Sequence, residues 1–266
     1  MKYIYLSILS LVAAYIIVLI FIYIYQRNLL YHPAENNYLD NKIEFNYEQV
    51  WIETDENIKL KSWLIKKNLD KYKTLIFFHG NAGNLLNRVN KLNKLNKLDI
   101  NILIISWRGF SGNSGKPTEK NLYHDAKLCI KWLNDLGVTN NKIILYGESL
   151  GTGVAVELGH KNDFNSIILE SPFTSIEKAA KIYYPYLPIN LLLKDRYNSI
   201  EKINKITKPI LIMHGMKDDV VPYQMGVELF KKANLPKYSY FSKEDDHMMD
   251  FNDELLDKIR SFISKH

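Results

Sequence analysis

Ser149 stands at the centre of a Gly-x-Ser-x-Gly pattern, Gly147-Glu148-Ser149-Leu150-Gly151. A short apolar run precedes the pattern, and small residues typical of a helix start follow it. A strand that turns sharply into a helix predicts a nucleophile elbow, in which the apical serine has a strained backbone with positive φ. Side chains two residues before and after the apex would collide, so both positions are glycine. The spacing predicts a nucleophilic serine, although the motif alone is a weak signal.

A serine hydroxyl is too weakly acidic to attack a carbonyl group unaided, so it needs a base, and the base needs an orienting carboxylate. In an open parallel sheet, reacting groups gather where the strands end. The predicted strands Ile210–Met213 and Tyr238–Phe241 lead into loops that contain Asp218, Asp219 and His247. The chain order of serine, aspartate and histidine is that of the α/β-hydrolases. Together these residues are a strong joint signal for hydrolysis through a serine.

Strands and helices alternate along most of the chain, which predicts an α/β fold with a mostly parallel sheet covered on both faces. Besides the run before Ser149, the predicted strands are Gln49–Thr54, Ile58–Lys66, Thr74–Phe78, Ile100–Ser106, Ser166–Ile168, Ile210–Met213 and Tyr238–Phe241. The predicted helices are a stretch that ends near Leu98, then Glu119–Leu136, Gly151–His160, Tyr223–Ala233 and Phe251–Ile263. The pattern lapses at about 174–208, an aromatic, proline-broken segment that predicts a short lid after the sixth strand.

The N-terminal segment is almost unbroken in its apolar character from Tyr3 to Tyr25, long enough for a helix to cross a bilayer. Tyrosines collect at both ends, as in interfacial aromatic belts. A signal peptide and a buried helix are the competing interpretations, but no small-residue cleavage site follows the run. We therefore predict a single-pass membrane protein with an anchor over residues 1–27 and one hydrolase domain over residues 28–266. The flanking charges leave the orientation and the membrane open.

The composition argues against a nucleic-acid partner, a disulfide and a metal site. The chain has 266 residues, is 47% hydrophobic and carries a formal net charge of +6, without an Arg-rich arm or basic-aromatic cluster that would predict a nucleic-acid partner. Its single cysteine, Cys129, excludes an intrachain disulfide and is predicted to be a core residue. No histidine spacing suggests a metal site. We predict no cofactor and no metal.

Several further motifs accompany the elbow: Gln26–Pro33 after the anchor, Phe78–Asn84, Trp107–Gly115, Glu170–Phe173, His214–Pro222 and His247. With these motifs, nearly the whole chain resembles the membrane-anchored α/β-hydrolase-domain (ABHD-type) serine hydrolases. The resemblance implies an α/β-hydrolase fold, with Ser149 as nucleophile, His247 as general base and acid, and Asp218 as the orienting carboxylate. Asp219 is the neighbour to exclude, and Glu170 is an alternative acid from the sixth strand.

The oxyanion of an acyl-transfer reaction needs backbone donors. In a nucleophile elbow, the residue after the serine supplies one backbone N–H donor, which is Leu150 here. The second donor is expected from the loop after the third strand, where the N–H of Asn81 is suitably placed. A phosphate-binding loop at Gly80–Asn84 is a weaker interpretation, because the loop lacks the spaced glycines and the lysine of such sites. His79 and His214 are expected to organise their loops. Lys91, Lys94 and Lys97 are expected to form a solvated helix face, or else one that meets anionic lipid.

The sequence thus predicts a serine hydrolase that cleaves esters or thioesters through an acyl-enzyme. The anchor and the apolar lid favour a lipid-like acyl substrate or an S-acylated protein. Two alternatives stay open: a serine peptidase of the same fold, and a non-catalytic scaffold tethered to a membrane. The oligomeric state is not predicted.

Overall fold

The computed structural model describes residues 1–34 and 42–266. Eight strands form the main sheet: β1 Glu48–Glu53, β2 Lys59–Ile65, β3 Thr74–Phe78, β4 Asn101–Ile105, β5 Ile143–Glu148, β6 Ser166–Glu170, β7 Ile210–Gly215 and β8 Lys237–Ser242. The helices are α1 Lys2–Leu30, α2 Val89–Leu95, α3 Glu119–Asp135, α4 Leu150–Gly159, α5 Ile176–Tyr183, α6 Ile189–Leu192, α7 Tyr223–Lys232 and α8 Asp253–Lys265. Short 3₁₀ turns cover Leu85–Arg88, Asn140–Lys142 and Ile203–Lys205.

The strand order is β8-β7-β6-β5-β3-β4-β2-β1. All pairs from β4 to β8 are parallel, whereas β2 pairs antiparallel with both β1 and β4. The central strands β3 to β7 are fully buried, as expected for strands covered on both faces. This sheet and its flanking helices confirm the predicted α/β-hydrolase fold.

Alternate side chains along the buried strands pack into two separate hydrophobic cores, one on each face of the sheet. Ile76 and Phe78 of β3 pack with residues of α3, α4 and α7 on one face of the sheet. Leu75 and Phe77 pack with residues of α2 and α8 on the other face. The first core includes Cys129, which is fully buried as predicted. Helices therefore cover both faces, and the carboxyl ends of the strands are left free to carry loops.

Helix α1 is the long apolar segment expected at the N-terminus, and it continues to Leu30. It is the one described helix long and apolar enough to cross a membrane, and its apolar stretch is not buried against the rest of the chain. The interpretation as a buried core helix is therefore wrong. After α1, His32–Pro33 pairs in parallel with Ala82–Gly83, a two-residue ladder that the sequence pattern did not predict.

The segment after β3 departs from expectation. Instead of one helix that runs to about Leu98, a 3₁₀ turn capped by Asn84 precedes the short helix α2. Lys91 of α2 is buried, so the expectation of a solvated or lipid-facing lysine face is wrong for this residue. Lys94 and Lys97 are exposed. The cause is a pair of glutamates under α2, described below.

Candidate active site

Ser149 lies at the sharp turn between β5 and α4. Its backbone has φ 49° and ψ −115°, a strained conformation typical of a nucleophile elbow. A Cβ added to Gly147 would lie 2.5 Å from Thr152 Cα, and one added to Gly151 would lie 1.9 Å from the carbonyl oxygen of Phe78. Both glycines are therefore required by close backbone packing, which holds the serine at the carboxyl end of the sheet.

Ser149, His247 and Asp218 form a continuous hydrogen-bonded chain. His247 Nε2 lies 2.9 Å from Ser149 Oγ, and His247 Nδ1 lies 2.7 Å from Asp218 Oδ2. Because a carboxylate only accepts, Nδ1–H donates to Asp218, and Nε2 is left to accept the serine proton. The loops after β7 and β8 bring Asp218 and His247 to the elbow after β5, since the strands from β5 to β8 are parallel and end at the same edge.

The second carboxylate oxygen of Asp218 is also occupied. Backbone N–H groups of Val220 and Val221 donate to Oδ1 at 2.9 and 2.7 Å. Burial by itself raises the pKa of Asp218, but hydrogen bonds from His214, His247 and Val221 outweigh it and hold that pKa well below its ordinary value. Asp218 is therefore fixed and ionised at neutral pH.

Asp218, and neither of the alternative acids, lies beside His247. Asp219 contributes its carbonyl oxygen to the Tyr183 hydroxyl at 2.8 Å. Glu170 is bonded to Lys91 and Tyr146 under α2. Of the three acids weighed from the sequence, only Asp218 makes a hydrogen bond to a histidine that reaches Ser149.

His214 is a second histidine on the same carboxylate. Its Nε2 lies 2.9 Å from Asp218 Oδ2 and 3.0 Å from the carbonyl oxygen of Val221, so Nε2–H donates to both acceptors. Its Nδ1 is buried beside Gly226 without a hydrogen-bond partner among the described residues. The ring is therefore a second hydrogen-bond donor to Asp218. The sequence analysis expected His214 to organise its loop but did not foresee this contact, whose only sequence signal was the spacing of four residues between the two side chains.

The two predicted oxyanion donors line one cavity with the serine. Asn81, Leu150 and Ser149 lie in the wall of a cavity of about 190 Å³. The backbone N–H groups of Asn81 and Leu150 donate no hydrogen bond to any residue within 1–34 and 42–266. Both groups are thus available to an oxygen atom bound beside Ser149. The remaining wall is largely apolar and comes from Leu30, Phe173, Ile176, Ala179, Ala180, Tyr183, Val220 and Val221.

A buried ionic cluster supports the loop that carries Asn81. Glu148 Oε1 accepts from the backbone N–H of Gly80 at 3.1 Å and from Arg88 Nη2 at 2.6 Å. Its Oε2 accepts from Lys91, which also binds Glu170. Burial raises the pKa of Glu148, but Arg88 and Lys91 outweigh it and hold it well below its ordinary range. Arg88 also donates to the carbonyl oxygen of Ala82, so the cluster ties the loop to Glu148, the residue before Ser149.

Two further residues position the loops around the site. His79 donates from Nδ1 to the carbonyl oxygen of Gly80 and accepts from the backbone N–H of Trp107, the organising role expected of it. Burial, together with the Arg88 charge, lowers its pKa to about 3, so the ring stays neutral. Ser171 belongs to the Glu170–Phe173 motif, but the sequence analysis predicted no role for it. Its hydroxyl donates to the carbonyl oxygen of His247 at 2.8 Å and so fixes the backbone of the histidine loop.

A larger cavity, of about 540 Å³, lies between α2 and the loop after β8, but Ser149 does not line it. No group of three or more His, Cys, Asp and Glu side chains within the described ranges is arranged to hold a metal ion.

A protein family, two relatives by sequence and one solved structure each match more than half of the chain. The model of the prolyl oligopeptidase family matches residues 95–254. The chain is 32% identical to protein Rv2307c of Mycobacterium tuberculosis over 97% of this chain and 94% of that protein. It is also 32% identical to human alpha/beta hydrolase domain-containing protein 17B, over 72% of this chain and 66% of that protein. The Pyrococcus furiosus esterase Pf2001 superposes with a TM-score of 0.70 at 22% identity, covering 89% and 98% of the two chains, a likeness of fold.

Proposed function

Because the chain belongs to the α/β-hydrolase-domain proteins of the prolyl oligopeptidase family, we propose that it is a serine hydrolase that cleaves carboxylic esters or thioesters. One observation carries the proposal: His247 reaches Ser149 Oγ at 2.9 Å with one ring nitrogen and Asp218 at 2.7 Å with the other. This arrangement suits proton transfer from the serine while the carboxylate fixes the ring.

In the proposed first half-reaction, Ser149 Oγ attacks the carbonyl carbon of the substrate and its proton passes to His247 Nε2. Ionised Asp218 stabilises the imidazolium that forms. The carbonyl oxygen becomes an oxyanion that accepts hydrogen bonds from the backbone N–H groups of Asn81 and Leu150. Collapse of the tetrahedral intermediate breaks the ester or thioester bond, and His247 gives its proton to the departing alcohol or thiol.

In the second half-reaction, water attacks the acyl group on Ser149. His247 takes a proton from the water and returns it to Ser149 Oγ as the acid product leaves. The largely apolar cavity beside the serine supports an acyl chain as the group transferred. Helix α1, exposed and long enough to cross a bilayer, supports a membrane anchor and therefore a lipid-like ester or an S-acylated protein as substrate.

Active-site labelling by a fluorophosphonate probe tests the nucleophile. We expect the full chain to be labelled, and Ser149→Ala and His247→Ala to lose labelling. Asp218→Asn should label at least about 100-fold more slowly, because Asn cannot hold the required tautomer of His247. Asp219→Asn is the matched control and should label like the unaltered chain. A folded chain that is not labelled would overturn the proposal in favour of a non-catalytic scaffold.

A series of nitrophenyl esters tests the acyl group. We expect kcat/KM to rise from two-carbon to medium and long acyl chains, since each added methylene can enter the apolar cavity. A flat series would remove the lipid-like substrate while leaving esterase chemistry intact. Peptide hydrolysis is the second candidate, favoured by the match of residues 95–254 to the prolyl oligopeptidase family. Cleavage of aryl amides of prolyl peptides at rates comparable to the esters would establish it.

A further inference from the structure

Helix α1 does not stand clear of the folded domain. Its Tyr15 hydroxyl donates to the carbonyl oxygen of Tyr186, and its Gln26 side chain donates to the carbonyl oxygen of Leu192. Gln26 also accepts from the backbone N–H of Lys194 at 2.7 Å. The segment between α5 and β7 therefore lies along the C-terminal half of α1, over the stretch from Tyr15 to Gln26.

The contact between α1 and this segment is too long for the segment to lie wholly outside a bilayer that α1 crosses. At 1.5 Å per residue, the contact from Tyr15 to Gln26 takes up about 16 Å of helix, and the part before Tyr15 is only about 20 Å long. The hydrocarbon core of a bilayer is about 30 Å thick. If α1 crosses it and keeps these contacts, the segment beside Tyr15 must enter the membrane as well.

The chemistry of that segment suits a membrane. Residues 182–193 include no charged side chain, and Lys181 and Lys194 flank them. Its outward-facing apolar residues, here called the lid face, are Ile182, Tyr184, Tyr186 and Leu191. Leu191 is 83% exposed and Tyr186 is 67% exposed. Tyrosine and leucine side chains bordered by lysines are typical of surfaces that bind at the bilayer interface.

Polar groups along the contact are paired in the manner that a membrane requires. The Tyr15 hydroxyl and the Tyr186 carbonyl satisfy each other, and the Gln26 amide uses both its donor and its acceptor. The Lys194 ammonium lies 4.0 Å from the centre of the Tyr23 ring, beside the aromatic end of the apolar run. A lysine at this level can extend to the lipid headgroups while its stem stays apolar.

We propose that the lid face and α1 form one membrane-binding surface, with the lid face inserted into the lipid of the bilayer on the side where the domain lies. The inference rests on the proposed membrane anchoring by α1 and extends the proposed function to the route of the substrate. Helix α5 supplies Ile176, Ala179 and Tyr183 to the cavity of Ser149 and continues directly into the lid face. A long acyl chain therefore reaches the serine from the lipid rather than from water.

Depth measurements on the full chain test the insertion. Single cysteines at Leu191, Val12 and Leu235 would each carry a bimane fluorophore in phosphatidylcholine vesicles; Cys129 is buried and can remain. Leu235 is the matched control, because it is 79% exposed but precedes β8 at the opposite end of the sheet. We expect doxyl-labelled lipids to quench the probes at Val12 and Leu191 by about twofold or more, and aqueous iodide to quench only the probe at Leu235.

Each other pattern overturns the inference. If iodide quenches the probe at Leu191 while the one at Val12 stays in lipid, the anchor spans but the lid face does not insert, and a protein partner becomes the explanation for its exposure. If the probe at Val12 is also in water, the membrane anchoring fails as well. Fluorophosphonate labelling of Ser149 in the same samples reports the hydrolase proposal separately, since the depth readout needs no activity.

Substitution in the lid face tests the route of the substrate. Leu191→Asp should lower hydrolysis of a long-chain ester embedded in vesicles by about tenfold, because a carboxylate opposes insertion. Hydrolysis of a short, water-soluble ester and the thermal unfolding midpoint should not change. Leu235→Asp should alter none of these values. Equal losses on both substrates would contradict entry from lipid.

Discussion

The side-chain amide of Asn81 donates a hydrogen bond to the carbonyl oxygen of Leu30, the last residue of α1, at 2.7 Å. The carbonyl oxygen of Asn81 in turn accepts from the backbone N–H of His32 at 2.8 Å. The loop that offers the proposed oxyanion donor is therefore clamped on one side by the end of α1. On the other side, Glu148 holds the backbone N–H of Gly80.

Removal of the Asn81 side chain should loosen this clamp without removing the backbone donor. We expect Asn81→Ala to lower kcat for a soluble nitrophenyl ester by about tenfold, the worth of about one hydrogen bond, with little change in KM. Asn121→Ala, which removes an exposed side-chain bond to Lys116 and does not line the cavity of Ser149, is the matched control and should keep full activity. An Asn81→Ala variant with unchanged kcat would show that Leu30 does not help to position the loop.

His214 should act through Asp218. We expect His214→Phe to lower kcat by about 10- to 100-fold, because phenylalanine keeps a ring at this position but Asp218 loses a charge-assisted donor that fixes its carboxylate. In the background of Asp218→Asn, the same substitution should cost almost nothing further, since residues of one network are not additive. Steady-state kinetics on the four chains of this double-mutant cycle give the coupling. Additive losses would mean that His214 damages the site by another route.

The lowered pKa of Asp218 predicts a defined loss of stability in acid. The unfolded carboxyl binds a proton near its ordinary value of 3.8, whereas the folded carboxyl resists protonation to lower pH. Its contribution to the free energy of unfolding is therefore fully present above about pH 5 and is lost as the pH falls toward the folded pKa. Asp218→Asn should flatten this dependence.

Urea unfolding between about pH 6 and pH 3 measures that slope for the unaltered chain, Asp218→Asn and the control Asp219→Asn. The control should retain the slope of the unaltered chain, because the Asp219 carboxylate contacts neither histidine. Parallel curves for all three chains would show that Asp218 does not titrate differently in the folded state.

The fold could be predicted because it depends on local patterns. Apolar runs the length of strands, separated by helical periodicity, determine a parallel sheet, and the order of serine, aspartate and histidine then assigns each side chain to a strand end. Topology brings Ser149 and His247 to the same edge of the sheet, because the strands from β5 to β8 are all parallel and end together. Their catalytic roles remain predictions until the labelling experiment is done.

What could not be predicted depends on pairings distant in sequence. Lys91 has the helical spacing of a solvated face, and that spacing does not predict its ion pairs with Glu148 and Glu170. The contact of Tyr15 with Tyr186 joins residues 171 positions apart. Neither the apolar run nor the lid pattern contains information about that contact. Periodicity identifies which face of a helix or strand is apolar, but not which charged side chains are buried in ion pairs.

The elbow should tolerate no side chain at Gly151. We expect Gly151→Ala to destabilise the chain by about 3 kcal/mol or more, because its Cβ would overlap the carbonyl oxygen of Phe78, a backbone atom that cannot move aside. Gly159→Ala, on the same helix, is the matched control. Its Cβ would meet the far end of the Ile167 side chain, which can rotate away. Thermal or urea unfolding gives both values, and equal effects would contradict the elbow packing.

Lys91 should be essential for stability although it lies on a short helix near the surface. Its ammonium bonds Glu148 at 2.5 Å and Glu170 at 2.8 Å, and all three side chains are almost fully buried. Lys91→Met would leave two carboxylates with one cation, Arg88, at a cost of about 3–5 kcal/mol near neutral pH. Lys94→Met, on the exposed side of α2, should change the free energy of unfolding by less than about 0.5 kcal/mol.

The pH dependence distinguishes lost charge pairing from lost packing. Burial raises the pKa of Glu170 even with Lys91 beside it, and loss of the ammonium raises that pKa further. Glu170 in the variant therefore binds a proton as the pH falls, and the neutral acid no longer needs a cation. The destabilisation by Lys91→Met should shrink between about pH 8 and pH 5. A penalty that stays constant over this range would assign the effect to packing of the lysine stem instead.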